Sequence, residues 1–515
     1  MPETDVLIAG AGPTGLVLAL WLHVQGVKIR IVDQADGPAP NSRALAVHAR
    51  ILELYRQLDL ADELIERGYQ LPATNVWVNG SHRAHINLRQ FGTELTPYPY
   101  LLTFPQDEHE RLLEKRLNSF GIFVERKTKL RNFVDHGSSI TATLETANGD
   151  ESTCEAAYIV GCDGAHSVVR HGIDANYEDI VAEEQDSSLF NGEAHLTFVD
   201  DTFNLILPYV QERHARLIGT TIPKTAGNQK SDTLGPHHEI TFDDVLPDIK
   251  KTTKIEIKKV NWFSTYRSHH RVAEKFRSNR AFLVGDAAHI HSPVGGQGMN
   301  TGIMDAINLA WKLATVIKQS SMTEEAKNAL LNTYEPERRS FALDVVGATD
   351  HGFTILTSSG FFPHILRAWV IPYLIPLVTR LQAVRSQIFR RGSQLVCSYR
   401  GNNMLNQTTQ GSEMVQPGDR LPWVDTKQSD NFSTLRDICW QIHVYGDSRT
   451  ELGEWCKTKH VQLNVFEWNE KHGNAGFKKG AVYLLRPDQY IAGIFEGDDL
   501  QSELDEYFST RGLLC

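Results

Sequence analysis

Asp5-Val6-Leu7-Ile8-Ala9-Gly10-Ala11-Gly12-Pro13-Thr14-Gly15 opens the chain with a short apolar run, a glycine turn and the start of a second apolar run that continues to Val24. The first run has the length and continuity of a buried parallel strand, and residues 16–24 read as a helix. Between them Gly10 permits the tight turn, Gly12 lets the backbone approach a pyrophosphate, and Gly15 lets helix and strand pack closely. Pro13 and Thr14 complete the helix start, whose N–H groups and positive dipole end favour phosphate. The next apolar run, residues 28–32, ends at Asp33 with Gln34 beside it. That is about 20 residues past the glycines, where a ribose-binding carboxylate stands in dinucleotide folds. An acceptor-only side chain suits a pair of ribose hydroxyls and repels a 2'-phosphate. The resident nucleotide is therefore predicted to be FAD or NAD rather than NADP.

At 515 residues the chain exceeds one ordinary core, and two or three domains are expected. A composition of 41% hydrophobic and 22% charged residues is that of a soluble globular protein. A net charge of -11 without basic clusters argues against nucleic acid and for a small-molecule partner. Six cysteines, at 154, 162, 397, 439, 456 and 515, form no C-x-x-C pair and no zinc spacing, which fits a reducing, cytoplasmic setting. The apolar start lacks a basic n-region and is broken by glycines and a proline, unlike a secretory signal. Residues 361–381 are also apolar, but hold Arg367, Arg380 and two prolines, and their uncharged run is shorter than the ~20 residues of a spanning helix. A buried connection or partner surface is expected there, without stable membrane insertion.

Far downstream the pattern of strand, glycine turn and helix returns. Ala281-Phe282-Leu283-Val284 reads as a buried strand and is followed by Gly285-Asp286. Pro293-Val294-Gly295-Gly296-Gln297-Gly298-Met299-Asn300-Thr301-Gly302 then leads into a helical pattern over 303–317. A loop again delivers backbone N–H groups at a helix start, and its small residues allow a planar ring system to lie against the backbone.

Gly285-Asp286-Ala287-Ala288-His289 and residues 293–313 resemble the flavin-binding segment of class A flavoprotein monooxygenases, the para-hydroxybenzoate and phenol hydroxylase group. Cys162-Asp163-Gly164-Ala165-His166-Ser167-Val168-Val169-Arg170 resembles that group's third motif. Ser42-Arg43-Ala44 with Arg50-Ile51-Leu52-Glu53 resembles its flavin-proximal loop and helix. The resemblance implies FAD as the resident nucleotide. Asp286 would contact its ribityl and pyrophosphate region, Arg43 its phosphates, and Gln106 the flavin side chain. The backbone from Gly295 to Asn300, with Gly296, Gly298 and Met299 within it, would face the pyrimidine edge of the ring. Asp163 would order the loops around the pyrophosphate and a passing nicotinamide nucleotide; taken alone, an Asp-Gly pair is also an ordinary turn. Met304 and Ile51 depart from the Gln and Thr common in the family, without touching the flavin logic.

Between the motifs, residues 194–199, 204–209, 216–221 and 255–262 read as strands, which suggests an inserted antiparallel sheet. The family uses such a sheet as the roof of its substrate pocket. Candidate pocket residues are His48, Tyr209, Trp262, Tyr266, Arg267 and His291. A histidine near neutral pKa suits acid-base work on a phenol. Pro293 belongs to the loop expected beside the reactive ring, so Pro293, His48, Tyr266 and Arg267 are the candidate catalytic positions. The expected fold is α/β, in part α+β. A Rossmann-like FAD domain is assigned to 1–75, 104–178 and 276–395, and a substrate sheet domain to 76–103 and 179–275. Residues 402–515 are similar to the thioredoxin-like domain appended to phenol hydroxylase, aromatic polyketide hydroxylases and rifampicin monooxygenase, but without the C-x-x-C that dithiol chemistry needs.

The resemblance further implies the cycle. NADPH or NADH visits transiently and reduces the flavin, since no second nucleotide fingerprint is present. O2 is then trapped as a flavin C4a-hydroperoxide, and one oxygen passes to a small aromatic, phenolic or polyketide-like substrate. A homodimer is implied in the same way. The alternatives are another oxygen insertion on the same scaffold (epoxidation, Baeyer-Villiger reaction, antibiotic inactivation) and a flavin-binding reductase or regulatory protein.

Overall fold

The computed structural model describes residues 3–39, 44–78, 81–89, 91–175, 180–186, 193–199, 202–209, 214–219, 246, 265–290, 296–357, 371–401, 405, 415–426 and 430–513. The opening motif folds as strand Thr4–Ala9, helix Pro13–Val24 and strand Ile29–Val32. Thr4–Ala9 lies at the centre of a parallel arrangement, paired with Ile29–Val32 on one side and Glu151–Gly161 on the other. Glu151–Gly161 pairs in turn with Ala281–Leu283, so the strands that precede the glycine turns at Gly10 and Gly285 are separated by one strand. Continuous apolar runs form these strands because both faces are covered, and Val6, Leu7 and Ile8 are fully buried. Glu151–Gly161 is long enough for two tasks. Its first half pairs antiparallel with Ile140–Thr146, which with Thr128–Asp135, and with Arg277–Ser278 beside Ala281–Leu283 at the other edge, extends the sheet to seven strands.

The second sheet has eight strands, in the order His289–Ile290, Thr265–Val272, Ile180–Asp186, His214–Gly219, Thr202–Tyr209, Ala194–Val199, Ala73–Val78, Ser81–Asn87. Every neighbouring pair is antiparallel except one: Ala73–Val78 runs parallel to Ala194–Val199. The expected sheet is thus mixed, because its strand at 73–78 enters from the N-terminal part of the chain and cannot be joined to 194–199 by a hairpin. The expected strand over 255–262 lies outside the described residues.

Near the C-terminus Gln462–Phe466, Gln441–Tyr445, Val482–Leu485 and Ile491–Phe495 form a four-stranded sheet, the first pair parallel and the others antiparallel. Helices Thr450–Lys459 and Leu500–Thr510 pack with it through Leu452, Trp455, Leu504 and Phe508. Among the described residues no helix is long and apolar enough to cross a membrane.

Candidate functional site

The N-terminal glycine turn is built by close approach. Gly10 has φ +100°, and a Cβ there would run into the Cys162 carbonyl. A Cβ on Gly15 would collide with the Gly10 carbonyl, whereas one on Gly12 would meet nothing within 4 Å. Two glycines are therefore required by neighbouring backbone, while the third leaves an open cradle in front of the first helix. That helix starts at Pro13 with no side-chain cap on its N-terminus. Asp33 stands beside the cradle: Ala11 N–H donates to its Oδ2 at 2.6 Å and Ala35 N–H to its Oδ1 at 2.7 Å. Gln34 is exposed next to it.

The second turn meets the first through one side chain. A Cβ on Gly302 would lie 2.6 Å from Thr14 Oγ1, and one on Gly285 would lie 2.9 Å from the same oxygen. Only two residues without Cβ let helix Gly298–Lys318 approach Pro13–Val24 this closely. Helix Gly298–Lys318 also begins without a side-chain cap. Two uncapped helix N-termini thus flank the open space beside Gly12, which fits an elongated anionic dinucleotide such as FAD. Asp286 follows Gly285 and is exposed.

Three residues hold the second loop in place. Asn300, completely buried, accepts from His48 N–H at 2.9 Å and donates through Nδ2 to the carbonyls of Ala46, at 2.9 Å, and Gly296, at 2.7 Å. His48 Nε2 lies 3.1 Å from the same Gly296 carbonyl. A carbonyl only accepts, so this nitrogen carries the proton. In a trans peptide the C=O and the following N–H point in opposite directions, and among the described residues no peptide bond is cis. Anchoring the Gly296 carbonyl inward therefore turns the Gln297 N–H away from His48. Asn300 acts here through its side chain as a latch, a use the motif did not reveal, and Met299 beside it is half-buried.

Gln106 and Glu110 perform a similar task for Ala39 and Ala44. Gln106 N–H donates to the Ala44 carbonyl at 3.0 Å and its Nε2 to Glu110 Oε1 at 2.8 Å, while Glu110 Oε2 accepts from Ala39 N–H at 2.8 Å. Burial pushes the Glu110 carboxyl above its ordinary value. Arg43, Pro293, His291 and Trp262 lie outside the described residues, and Tyr266 and Arg267 are placed only as backbone of strand Thr265–Val272. Tyr209 is half-buried at the end of Thr202–Tyr209.

Asp163 sits where Glu151–Gly161 ends. Its Oδ2 accepts from Val168 N–H at 2.7 Å, its Oδ1 has no hydrogen-bond partner among the described residues, and burial raises its pKa. A buried carboxylate oxygen with nothing to accept from is a costly arrangement for a turn residue. Arg170 of the same motif reaches across to the Ala287 carbonyl at 3.4 Å, bracing the Gly285 turn.

Asp305 escaped the sequence reading although it lies within the quoted motif. Fully buried, it accepts from Gly285 N–H at 3.2 Å, pairs with His289 Nε2 at 2.6 Å and with Arg338 Nε at 2.6 Å. Burial pushes its carboxyl up, but Arg338 and His289 outweigh this and hold it below its ordinary value. The available signal was spacing: Thr301, Asp305, Asn308 and Lys312 form a polar stripe at helical intervals inside an otherwise apolar helix.

The lower part of that stripe, together with the Arg50–Glu53 motif, faces the C-terminal residues. Glu337 accepts from Lys312 Nζ at 2.8 Å and from Arg486 at 2.8 and 3.0 Å. Burial opposes its charge, yet Arg486 and Lys312 hold its pKa at about 2. Lys312, the second cation around one carboxylate, is held by burial at about 8. Arg50 pairs with Glu53 at 2.9 Å and donates to Gln489 Oε1 at 2.7 Å, and Glu53 accepts from Arg420 at 2.6 Å. The polar groups of a helix expected beside the flavin thus serve to fasten the C-terminal region.

Two uncapped helix starts beside one glycine cradle fit FAD, and the relatives make the class plain: this is an FAD-dependent monooxygenase. A family model described as an FAD binding domain matches residues 3–349, and the chain belongs to that family. It is 32% identical to the 6-methylpretetramide 4-monooxygenase of Streptomyces rimosus, over 95% of this chain and 91% of that one. The rifampicin monooxygenase of Rhodococcus hoagii is 29% identical over 98% of both chains. Among solved structures, the OxyS anhydrotetracycline hydroxylase from Streptomyces rimosus superposes with a TM-score of 0.75 at 23% identity, covering 99% of this chain and 100% of that one.

Proposed function

We propose that the protein hydroxylates a phenolic or polyketide-like aromatic compound, consuming NADPH or NADH and O2. The carrying observation is the cradle beside Gly12, flanked by two uncapped helix starts and the Asp33 carboxylate. Bound there, FAD would supply the redox chemistry, hydride acceptance from the nicotinamide and activation of dioxygen, with one oxygen atom destined for the ring and the other for water. Gly10, Gly12, Pro13, Thr14 and Gly15 would hold the pyrophosphate, Asp33 the adenosine ribose, and Gly285 and Asp286 the ribityl side. The 296–300 backbone would hold the flavin ring. The unpartnered Asp163 Oδ1 is available to a donor on the visiting nicotinamide nucleotide or the loop beside it.

The substrate is read from relatives whose names specify polycyclic aromatic substrates, supported by the second sheet adjoining the flavin-loop segment through Thr103 Oγ1, which donates to the Pro208 carbonyl at 2.9 Å. The region 402–515 is read as thioredoxin-like, from its order of strand, helix, parallel strand, helix, two antiparallel strands and helix. Lacking a dithiol, it would brace the flavin domain through Arg486 and Arg420. A cytoplasmic homodimer completes this reading. A second reading, oxygen insertion into an antibiotic, is favoured by the full-length match to a protein named rifampicin monooxygenase.

The test is a screen of phenols and polycyclic phenolic metabolites with the FAD-loaded enzyme. At least one should accelerate NAD(P)H oxidation tenfold or more and yield a product heavier by one oxygen atom. Hydrogen peroxide as the sole oxygen product for every compound would remove the hydroxylase reading.

A further inference from the structure

Charge along the chain is uneven. Between Asp350 and Glu413 there is no acidic residue, while arginines stand at 367, 380, 385, 390, 391 and 400, in a chain whose net charge is -11. The same region concentrates exposed apolar side chains. Of the twelve exposed large hydrophobic residues among those described, six fall between positions 373 and 396: Tyr373, Leu374, Leu377, Leu381, Ile388 and Val396. Arg380, Arg390 and Arg391 are exposed alongside them.

Tyr373, Leu374 and Leu377 sit on helix Ile371–Val378 and Ile388, Arg390 and Arg391 on helix Gln382–Gly392, with Arg380 and Leu381 on the link between them and Val396 just after the second; the inner sides of both helices are anchored. Phe389 is buried against Gly92, where a Cβ would meet its ring. Arg83 donates to the Tyr373 hydroxyl at 3.2 Å. Arg385 donates to the carbonyls of Thr379 and Arg380 at 3.0 and 2.8 Å, joining the start of the second helix to the end of the first. Folded this way, the pair leaves leucines outward at 374, 377 and 381, at helical intervals, with arginines around them.

We propose that this face docks the protein reversibly on an anionic lipid surface. Leucine and isoleucine would enter the boundary of headgroups and acyl chains while the arginines meet lipid phosphates. Charge decides against a second copy as the occupant: a two-fold contact would bring the exposed arginines of this segment, at 380, 390 and 391, towards those of the other copy. Neither helix spans a bilayer, so the attachment is peripheral. It also lies close to the flavin loop. Gln297 Nε2 donates to the Gly392 carbonyl at 3.1 Å, and Gln394 Nε2 donates to Gln297 Oε1 at 2.7 Å. A substrate dissolved in the bilayer would meet the protein on the side that carries this loop; the docking itself does not depend on the proposed reaction.

The test uses the full-length FAD-loaded protein and sedimentation with vesicles of phosphatidylcholine alone or mixed with phosphatidylglycerol. Bound fraction should be at least tenfold greater with phosphatidylglycerol and should fall with salt. Leu377→Glu with Leu381→Glu should abolish binding, and Arg390→Gln with Arg391→Gln should remove the preference for anionic lipid. Both variants should keep flavin absorbance and melting temperature. Equal sedimentation with both vesicle types, or undiminished binding by either variant, overturns the proposal. So does a wild-type dimer that the leucine variant converts to monomer, since the face would then belong to a second copy.

Discussion

Replacing Asn300 by alanine should loosen FAD more than it unfolds the protein. The side chain is completely buried and makes three hydrogen bonds, to His48 N–H and to the carbonyls of Ala46 and Gly296. The Gly296 carbonyl keeps His48 Nε2. The His48 N–H loses its acceptor, and a buried donor left unpaired costs about 1–3 kcal/mol. Adding the bond lost at Ala46 brings the local cost to about 3 kcal/mol. That cost falls on the segment joining residues 46–48 to the start of helix Gly298–Lys318. If the loop relaxes to escape it, FAD must restore the geometry on binding. At 1.4 kcal/mol per tenfold, affinity would fall by roughly 10 to 100-fold. Equilibrium titration of the apoprotein with FAD, read by flavin fluorescence, measures this directly. A dissociation constant within twofold of wild type, in a variant with clearly lowered thermal stability, would show that the latch serves the fold and not the flavin loop.

Other perturbations separate the remaining parts of the account. Gly302→Ala places a methyl group 2.6 Å from Thr14 Oγ1 and 3.1 Å from Gly285 Cα; overpacking of this kind costs about 1–3 kcal/mol, and the purified protein should carry a smaller fraction of bound flavin. Arg486 also pairs with Asp488 at 2.6 Å, so Glu337→Gln leaves the buried Lys312 as the unmatched cation and should cost about 3–5 kcal/mol in denaturant unfolding, whereas adding Lys312→Met should recover part of the loss, because it removes the charge left without a partner. A double variant less stable than the single one would refute that reading of the C-terminal attachment. The Glu337 carboxyl falls from 4.5 to about 2 on folding, so its contribution is complete above its unfolded value and drains away as pH drops from about 4.5 towards 2. Wild type should therefore lose stability across that window, and the Gln variant should lose less.

The parts of the molecule legible in the sequence are those encoded over short distances. A strand, a glycine turn, a helix and an acid at fixed spacing could be read from about thirty residues, since each requirement is local. Gly285, Gly298 and Asn300 followed from resemblance, but the use of the Asn300 side chain did not, because its partners lie some 250 residues away. The same holds for Asp305 with Arg338, Glu337 with Arg486 and Glu53 with Arg420, whose partners carry no mark of one another in sequence. Gln489 shows how a distant contact can hold an unfavourable local backbone. It adopts φ +66° and binds Arg50 and the Glu53 carbonyl through its side chain. The unfavourable backbone is offset by bonds that glycine could not make. The parallel pairing of 73–78 with 194–199 was likewise unreadable, because strand pattern does not encode direction.

The account rests most directly on the fate of dioxygen. With FAD-loaded enzyme, NAD(P)H, an accepted aromatic substrate and isotopically labelled O2, the account predicts one labelled oxygen atom in each molecule of product, in step with NAD(P)H consumed. Product oxygen derived from unlabelled water, or NAD(P)H oxidation that transfers no label to any substrate, would contradict it.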